Sequence, residues 1–413
     1  MTSLTEDIPL QVIGAGPAGM SLVMALCNRI AAQNGNAPAE QFLLDSLRMF
    51  EANTEPGGRM GRYRVNANTS AHDAVQGIND GTPFVKVRDR YLQHPQTQSD
   101  LIPLPKIGAL MVAPLARTMR EFLGRRLHCG VEVARIEIND ERFYSYDSDN
   151  RLLACSANTL LCCGAREVPL PELLPFRDRW EGSGRFLMRE SLEGLPGDKS
   201  LIVIIGASHS AFSCAWRLLH DPLFGEFGAN REIIILRRRE RIKLRCTPEF
   251  AAENRIDYDP ENDVCPSTGL VFRNGGLRKD AKALYLDIRD GREKRVRLVK
   301  MDGLDGKLDL LAEAGLILQA TGFAANLPSI VRDGEAIKVG HPTSNGELRD
   351  IDKDEIIAGL YGMGLGLDIL PDGDPHGERS FHGGIHGFQS YPTAIAPRII
   401  DRFRANMTRV NGS

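Results

Sequence analysis

The chain has no closely spaced cysteine motif, no long apolar run and no excess charge of either sign, and each absence argues against a class of protein. Its eight cysteines are Cys27, Cys129, Cys155, Cys162, Cys163, Cys214, Cys246 and Cys265, and none forms a C-x-x-C or C-x4-C pair. Scattered thiols of this kind are more often small buried apolar residues than disulfide partners. A redox enzyme that passes electrons to its own dithiol is therefore not expected. No apolar stretch approaches the roughly 18 residues of a membrane span. The formal net charge of -3 gives no general attraction to nucleic acid or to an anionic membrane surface. The opening MTSLTEDIPL carries acids and no basic, apolar signal region, so export is not expected and a cytoplasmic location is. His382 and His386 stand four apart in a glycine-rich stretch without a third ligand nearby, so no metal centre is expected.

What remains is a chain of 413 residues, long enough for two or three domains, with 42% apolar and 25% charged residues, the balance of an ordinary soluble globular protein. Its most informative stretches are two glycine turns nearly two hundred residues apart. In the first, PLQVIGAGPAGMSLVMALCNRI, the residues Leu10, Val12 and Ile13 read as a short buried strand. Pro17 suits a first helical position, and Met20, Val23, Leu26 and Ile30 recur at helical spacing. Between strand and helix lies G-x-G-x-x-G, formed by Gly14, Gly16 and Gly19 around Pro17 and Ala18. Gly14 allows the tight turn, Gly16 lets a diphosphate approach the backbone, and Gly19 lets helix and strand pack closely. The helix N-terminus then offers amides and partial positive charge to the phosphates. An acid at the end of the next strand, where a ribose is gripped, is supplied by Glu51. It comes later than usual, and the polar stretch Gln33 to Gln41 reads as an inserted loop that accounts for the delay.

The second turn follows the strand-sized run LIVII and contains Gly206, Ala207, Ser208, His209, Ser210 and Ala211. Ser208 stands where a second glycine is usual; its Cβ holds the backbone slightly away from a diphosphate, while its hydroxyl can donate to one. Ile233 to Leu236 form the next strand, which runs into Arg237, Arg238 and Arg239. An acid there favours NAD through the ribose hydroxyls, and arginines favour the extra phosphate of NADP. The alternative reading of the arginines is a solvated basic turn. CCG, ending in Gly164, and ATG, containing Thr321 and Gly322, close two further strands.

These motifs, taken together, resemble the flavin-containing monooxygenases and the N-hydroxylating enzymes related to them. Phe50, Glu51, Gly57 and Gly58 match F-E-x5-G-G as they stand. Met60 replaces a frequent Trp, and the GGR ending in Arg59 is shared with amine oxidases. Asn68, Thr69 and Ser70 match an Asn-Thr-Ser motif, with Ala71 in place of a common Lys, and ATGF followed by Pro328 matches A-T-G-[FY]-x4-P. The segment GRFLMRESLEGL lacks the histidine of the motif F-x-G-x3-H-S.

The resemblance implies an α/β fold with two Rossmann-like dinucleotide-binding domains. An NADPH-binding domain, 168–326, would be inserted into a split FAD-binding domain made of 1–167 and 327–413. It implies FAD in the first cradle, contacted by Gly14, Gly16, Pro17, Ala18, Gly19, Glu51, Gly57, Gly58, Arg59, Asn68, Gly164 and Gln389. It implies NADPH at Gly206, Ser208, His209, Ser210, Arg237, Arg238, Thr321 and Gly322. It further implies that hydride would pass from the nicotinamide to the flavin and that the reduced flavin would react with oxygen to give a hydroperoxide. Asn68 and bound NADP+ would then shelter that species, and one oxygen would go to a small-molecule heteroatom, most often an amine nitrogen. Asn68 also reads as a turn cap. His382, His386, Ser390 and Tyr391 are candidates for the substrate pocket. Enzymes of this kind often associate into homo-oligomers. The alternatives are an amine oxidase or dehydrogenase, which needs neither Gly206 nor the arginines, and an NADPH oxidase that releases only hydrogen peroxide.

Overall fold

The computed structural model describes residues 7–99, 101–195, 201–266, 268–273, 275–340, 343, 345–367 and 387–411, with side chains of the last helix described over 391–407. Among the described residues the strands form three principal sheets. In the first, Gln11–Ile13 is central, flanked in parallel by Arg48–Glu51 on one side and Thr159–Leu161 on the other. Leu127–Cys129 extends it beyond Arg48–Glu51. Glu355–Gly362 extends it beyond Thr159–Leu161 in parallel and carries an antiparallel edge of Glu347–Asp350 and Val339–Gly340.

The second sheet is wholly parallel, in the order Trp180–Gly182, Leu316–Gln319, Leu201–Ile205, Glu232–Arg237, Val296–Lys300. Its three inner strands carry unbroken apolar runs because both faces are covered. Ile202, Ile204, Ile233 and Ile235 face one hydrophobic cluster with Phe212 and Ala215 of the helix His209–His220. Val203, Ile205, Ile234 and Leu236 face another, with Leu173 and Leu311. A third, mixed sheet of six strands places Asp7–Ile8, Leu152–Ser156, Arg142–Tyr146, Arg135–Asn139, Ser329–Arg332 and Glu335–Ile337 side by side.

The chain passes between the first two sheets at two adjacent points. Ala165–Arg166, just beyond Gly164, pairs antiparallel with Ala324–Ala325, just beyond Gly322. The amide of Asn326 donates to the Gly164 carbonyl at 2.9 Å. Gln319 clamps the same place: its Nε2 donates to the Val168 carbonyl at 2.7 Å and to Thr321 Oγ1 at 2.8 Å, while its Oε1 accepts from the Leu170 amide at 3.2 Å.

One local expectation is corrected. The polar stretch read as a loop over Gln33 to Gln41 turns helical at Pro38, and the helix Pro38–Ser46 buries Glu40 against Arg29. Proline at the first helical position and the buried Leu43 and Leu44 outweigh the polar composition. The C-terminal helix, Gly387–Asn411, begins before Pro392 and keeps both Pro392 and Pro397 inside it. Ile395, Ala396, Ile399 and Ile400 hold it against the first core through tertiary packing, which offsets the hydrogen bonds that the prolines remove. No described helix is long and apolar enough to cross a membrane.

Candidate functional site

Both glycine turns are built by the same backbone device. Gly14 has φ +103° and Gly206 φ +113°. The Gly14 amide donates to the Phe50 carbonyl at 2.8 Å, and the Gly206 amide to the Leu236 carbonyl at 2.9 Å. A Cβ at Gly14 would lie 2.2 Å from the Cys162 carbonyl oxygen, and one at Gly206 would lie 2.3 Å from that of Ala320. Each first glycine thus closes against the strand end that leads to Gly164 or Gly322. In the first turn Gly19 is equally obligatory, since its Cβ would meet the Gly14 carbonyl oxygen at 2.0 Å. In the second, fully buried Ala211 occupies the corresponding position.

The helices that follow, Pro17–Ala32 and His209–His220, have neither a side-chain cap on their first amides nor an acid in their first turn. Free first-turn amides and the positive end of the helix dipole fit an anionic diphosphate. Around the first turn, Gly57 (φ +114°) donates its amide to the Ala15 carbonyl at 2.8 Å. A Cβ at Gly58 would lie 3.3 Å from Gly16 Cα and from Pro17 Cδ. Glu51 is buried, its Oε2 accepting from the Ala15 amide at 2.9 Å and its Oε1 from the Asn53 amide at 2.9 Å. It holds the turn in shape; Asn53 Nδ2 is a second donor on Oε1, so the acceptor capacity left for a ribose is on Oε2.

At the second turn, Ser208 is exposed and Arg238 and Arg239 extend into solvent. Arg237 is partly committed: its Nη1 donates to the carbonyls of Arg239 at 2.8 Å and Glu240 at 2.7 Å. It shapes the basic turn as well as charging it.

One segment joins the two turns. From Gly57 and Gly58 the chain runs through Tyr63, Val65 and Asn68 onto the second unit. The Arg64 amide donates to the Leu187 carbonyl at 2.8 Å. Asn66 Nδ2 donates to Asp280 Oδ2 at 2.7 Å, and Lys279 Nζ to the Thr69 carbonyl at 3.2 Å. Asn68 Nδ2 lies 3.2 Å from His209 Nδ1, and His209 Nε2 lies 3.0 Å from the Gly276 carbonyl oxygen. Burial, reinforced by the neighbouring Arg278 and opposed by the Gly276 contact, lowers the His209 pKa to about 4. Ser70 caps the short helix Ala71–Val75 by accepting from the Asp73 amide at 3.1 Å.

The structure therefore brings together Gly14, Gly16, Pro17, Gly19, Glu51, Gly57 and Gly58 at one turn, and Gly206, Ser208, His209 and Ser210 at the other, with Asn68 bridging. Arg59, exposed, starts the short helical turn Met60–Arg62 next to Tyr63. His382 and His386 lie outside the described residues, as do the side chains of Gln389 and Ser390; Tyr391 packs on the first core.

Two residues escaped the sequence reading, as did the partner of a third. Glu167, just past the first crossing, accepts from Ser183 Oγ at 2.5 Å and the Gly184 amide at 2.9 Å, and burial raises its pKa. Arg217 is almost fully buried. It donates to Asp221 Oδ2 at 2.7 Å and to the carbonyls of Phe186 at 2.6 Å and Arg189 at 2.5 Å. The Arg-x3-Asp spacing was its one visible signal. His209 was read as a cradle residue only, since nothing local announces a partner 141 positions away.

The chain matches no protein-family model. It is 27% identical to the CMP-5'-(3-aminopropyl)phosphonate hydroxylase of Streptomyces rubellomurinus, with 96% of this chain and 97% of that protein covered. Its fold is that of solved flavin-dependent monooxygenases. The ornithine hydroxylase of Pseudomonas aeruginosa superposes with a TM-score of 0.59 at 13% identity, over 96% of this chain and all of the other. The ornithine N-hydroxylase of Kutzneria sp. 744, solved with reduced FAD, NADP+ and L-ornithine, gives 0.56 at 15% identity over 96% and 100%. The architecture is thus α/β with two Rossmann-like dinucleotide-binding units.

Proposed function

We propose that this protein is an FAD- and NADPH-dependent monooxygenase that hydroxylates the nitrogen of a primary amine carried on a small molecule. The observation that carries the reading is the segment from Gly57 to Ser70, which packs on the first glycine turn at Gly58 and bonds to the second at His209. A cofactor on each turn then meets at one seam, with Asn68 in it. The reading divides the chain into an FAD-binding part, 1–167 and 327–413, and an NADPH-binding part, 168–326.

Bound FAD supplies hydride acceptance from NADPH and activation of oxygen; the chain's residues bind and orient. Gly14, Gly16, Gly19 and the amides of Pro17–Ala32 take the FAD diphosphate, and Glu51 takes its ribose. Gly206, Ser208 and the amides of His209–His220 take the NADPH diphosphate, with Arg237 and Arg238 at its 2′-phosphate. Asn68 places its amide at the redox edge. The overall reaction balances as amine, NADPH, a proton and oxygen going to hydroxylamine, NADP+ and water. The attacking nitrogen needs its lone pair, so the pocket disfavours the ammonium form. The curated relative is named for a 3-aminopropyl compound and the solved neighbours for ornithine; a primary amine on a short alkyl chain is the chemistry common to them.

The test is anaerobic mixing of FAD-loaded protein with NADPH, followed by oxygen and a panel of primary alkylamines. Bleaching of the flavin, then hydroxylamine formed in step with NADPH consumed, is expected. A protein that takes up no FAD, or whose flavin NADPH leaves oxidised, overturns the reading. Peroxide as the sole product with every amine favours the oxidase alternative.

A further inference from the structure

The contact between Asn68 and His209 has a definite polarity. The Gly276 carbonyl can only accept, so the nitrogen facing it, Nε2 at 3.0 Å, carries the ring proton. Nδ1 is then an acceptor, and it faces the Asn68 amide nitrogen at 3.2 Å. The acceptor behind the ring is fixed. A Cβ at Gly276 would lie 2.3 Å from the Arg245 nitrogen and 2.7 Å from the Phe272 carbonyl oxygen. The strand-like stretch is also stitched by the Leu277 amide to the Lys243 carbonyl at 2.7 Å and the Arg245 amide to the Leu277 carbonyl at 3.0 Å. The ring thus transmits a rigid backbone position to a side chain on the other unit. Asn66–Asp280, side chain to side chain, and Lys279 on the Thr69 carbonyl hold the chain on either side of Asn68, but only His209 touches its amide group in the described contacts.

We infer that His209 is a positioning residue that locks the Asn68 amide in one orientation, with its oxygen and second N–H turned to the seam, and so links the second nucleotide turn to the redox edge of the first. The inference rests on the functional reading above. His209 opens the helix whose first amides would receive the NADPH diphosphate, so nucleotide binding and amide orientation share one residue. Turning the amide over would present its oxygen to Nδ1, placing two acceptors face to face. A protonated ring would reverse that preference. The charged group facing the ring is Arg278, whose guanidinium disfavours the imidazolium; Lys279 and Asp280, on the helix packed beside it, are engaged by Thr69 and Asn66.

Two measurements test it. The first needs no cofactor: nitrogen-15 histidine NMR of the full chain, with the His209 signals assigned by their loss in His209→Gln. An Nε2–H tautomer from about pH 5 to about pH 8 is expected, with the Nδ1 signal displaced in Asn68→Ala. The Nδ1–H tautomer, or a signal indifferent to Asn68→Ala, overturns the inference. The second reads hydrogen peroxide released per NADPH consumed by the FAD-loaded enzyme with its amine. His209→Phe, which keeps the ring and removes both bonds, is expected to raise that ratio roughly three- to tenfold, the worth of one neutral hydrogen bond. His209→Gln is expected to restore most of the wild-type ratio, because an amide offers one donor and one acceptor as neutral imidazole does. Asn68→Ala is expected to raise the ratio, and His209→Phe to add nothing on top of it. A ratio unchanged by His209→Phe, no rescue by glutamine, or additive effects overturns the inference alone. A wild type that never couples NADPH to hydroxylamine overturns the functional reading and takes this with it.

Discussion

Substituting alanine at Gly206 is the sharpest probe of the second nucleotide turn. The new Cβ would lie 2.3 Å from the Ala320 carbonyl oxygen and 2.9 Å from its carbon, while φ is +113°. Carbon and carbonyl oxygen approach no closer than about 3 Å, so turn and strand end must part by roughly 1 Å or the backbone must leave its left-handed conformation, itself a cost of about 1–2 kcal/mol. A displacement of that size takes a first-turn amide out of hydrogen-bonding range of a phosphate. One such bond to a charged group is worth about 1.5–3 kcal/mol, so NADP+ is expected to bind roughly ten- to hundredfold more weakly. The first turn is untouched, and FAD content is expected to match wild type. The assay is calorimetric titration of NADP+ into FAD-loaded protein, with flavin absorbance giving the FAD stoichiometry. Gly14→Ala, where the Cβ would lie 2.2 Å from the Cys162 oxygen, is the reciprocal control and is expected to lose FAD. A folded Gly206→Ala protein that binds NADP+ within about twofold of wild type would refute the assignment of this turn to the nucleotide.

Three further outcomes are expected. Arg237→Ala is expected to raise the KM for NADPH far more than that for NADH in steady-state assays; equal effects would leave Arg237 a turn-shaping residue through its bonds to Arg239 and Glu240. Arg217→Leu strands Asp221 and the carbonyls of Phe186 and Arg189, and denaturant unfolding is expected to show a loss of about 3–5 kcal/mol, with less than about 1 kcal/mol contradicting the structural role. The His209 pKa is lowered from the ordinary 6.5 to about 4, so the unfolded chain binds the extra proton between those values. Its contribution to stability is complete above pH 6.5 and is lost as pH falls towards 4, by at most about 3 kcal/mol; unfolding curves of His209→Gln are expected to be flatter across that window, and identical slopes would count against a neutral ring.

The two glycine turns were legible because their chemistry is local: strand, turn and helix follow one another within twenty residues, and Gly14 and Gly206 need a conformation that other residues resist. The parallel sheet was legible in LIVII and IIIL because burial on both faces removes alternation. What lay hidden was long-range. Nothing around Asn68 names His209, and nothing in the arginine run says that Arg237 turns back on its own carbonyls. Arg217 reads as a surface cation until Asp221 and two carbonyls are brought around it. The helix Pro38–Ser46 was masked by the polar residues that precede it, and the third sheet by the shortness and wide separation of its strands.

The bond between Asn326 and Gly164 has a consequence for how such a molecule could arise and be rebuilt. Departure and return of the polypeptide are already adjacent, so the intervening stretch imposes little closure entropy on its host, whatever its length. Replacing that stretch would leave the strand pairing of the other two principal sheets unbroken and would cut the contacts that Arg64, Asn66, Asn68 and Thr69 make across to it.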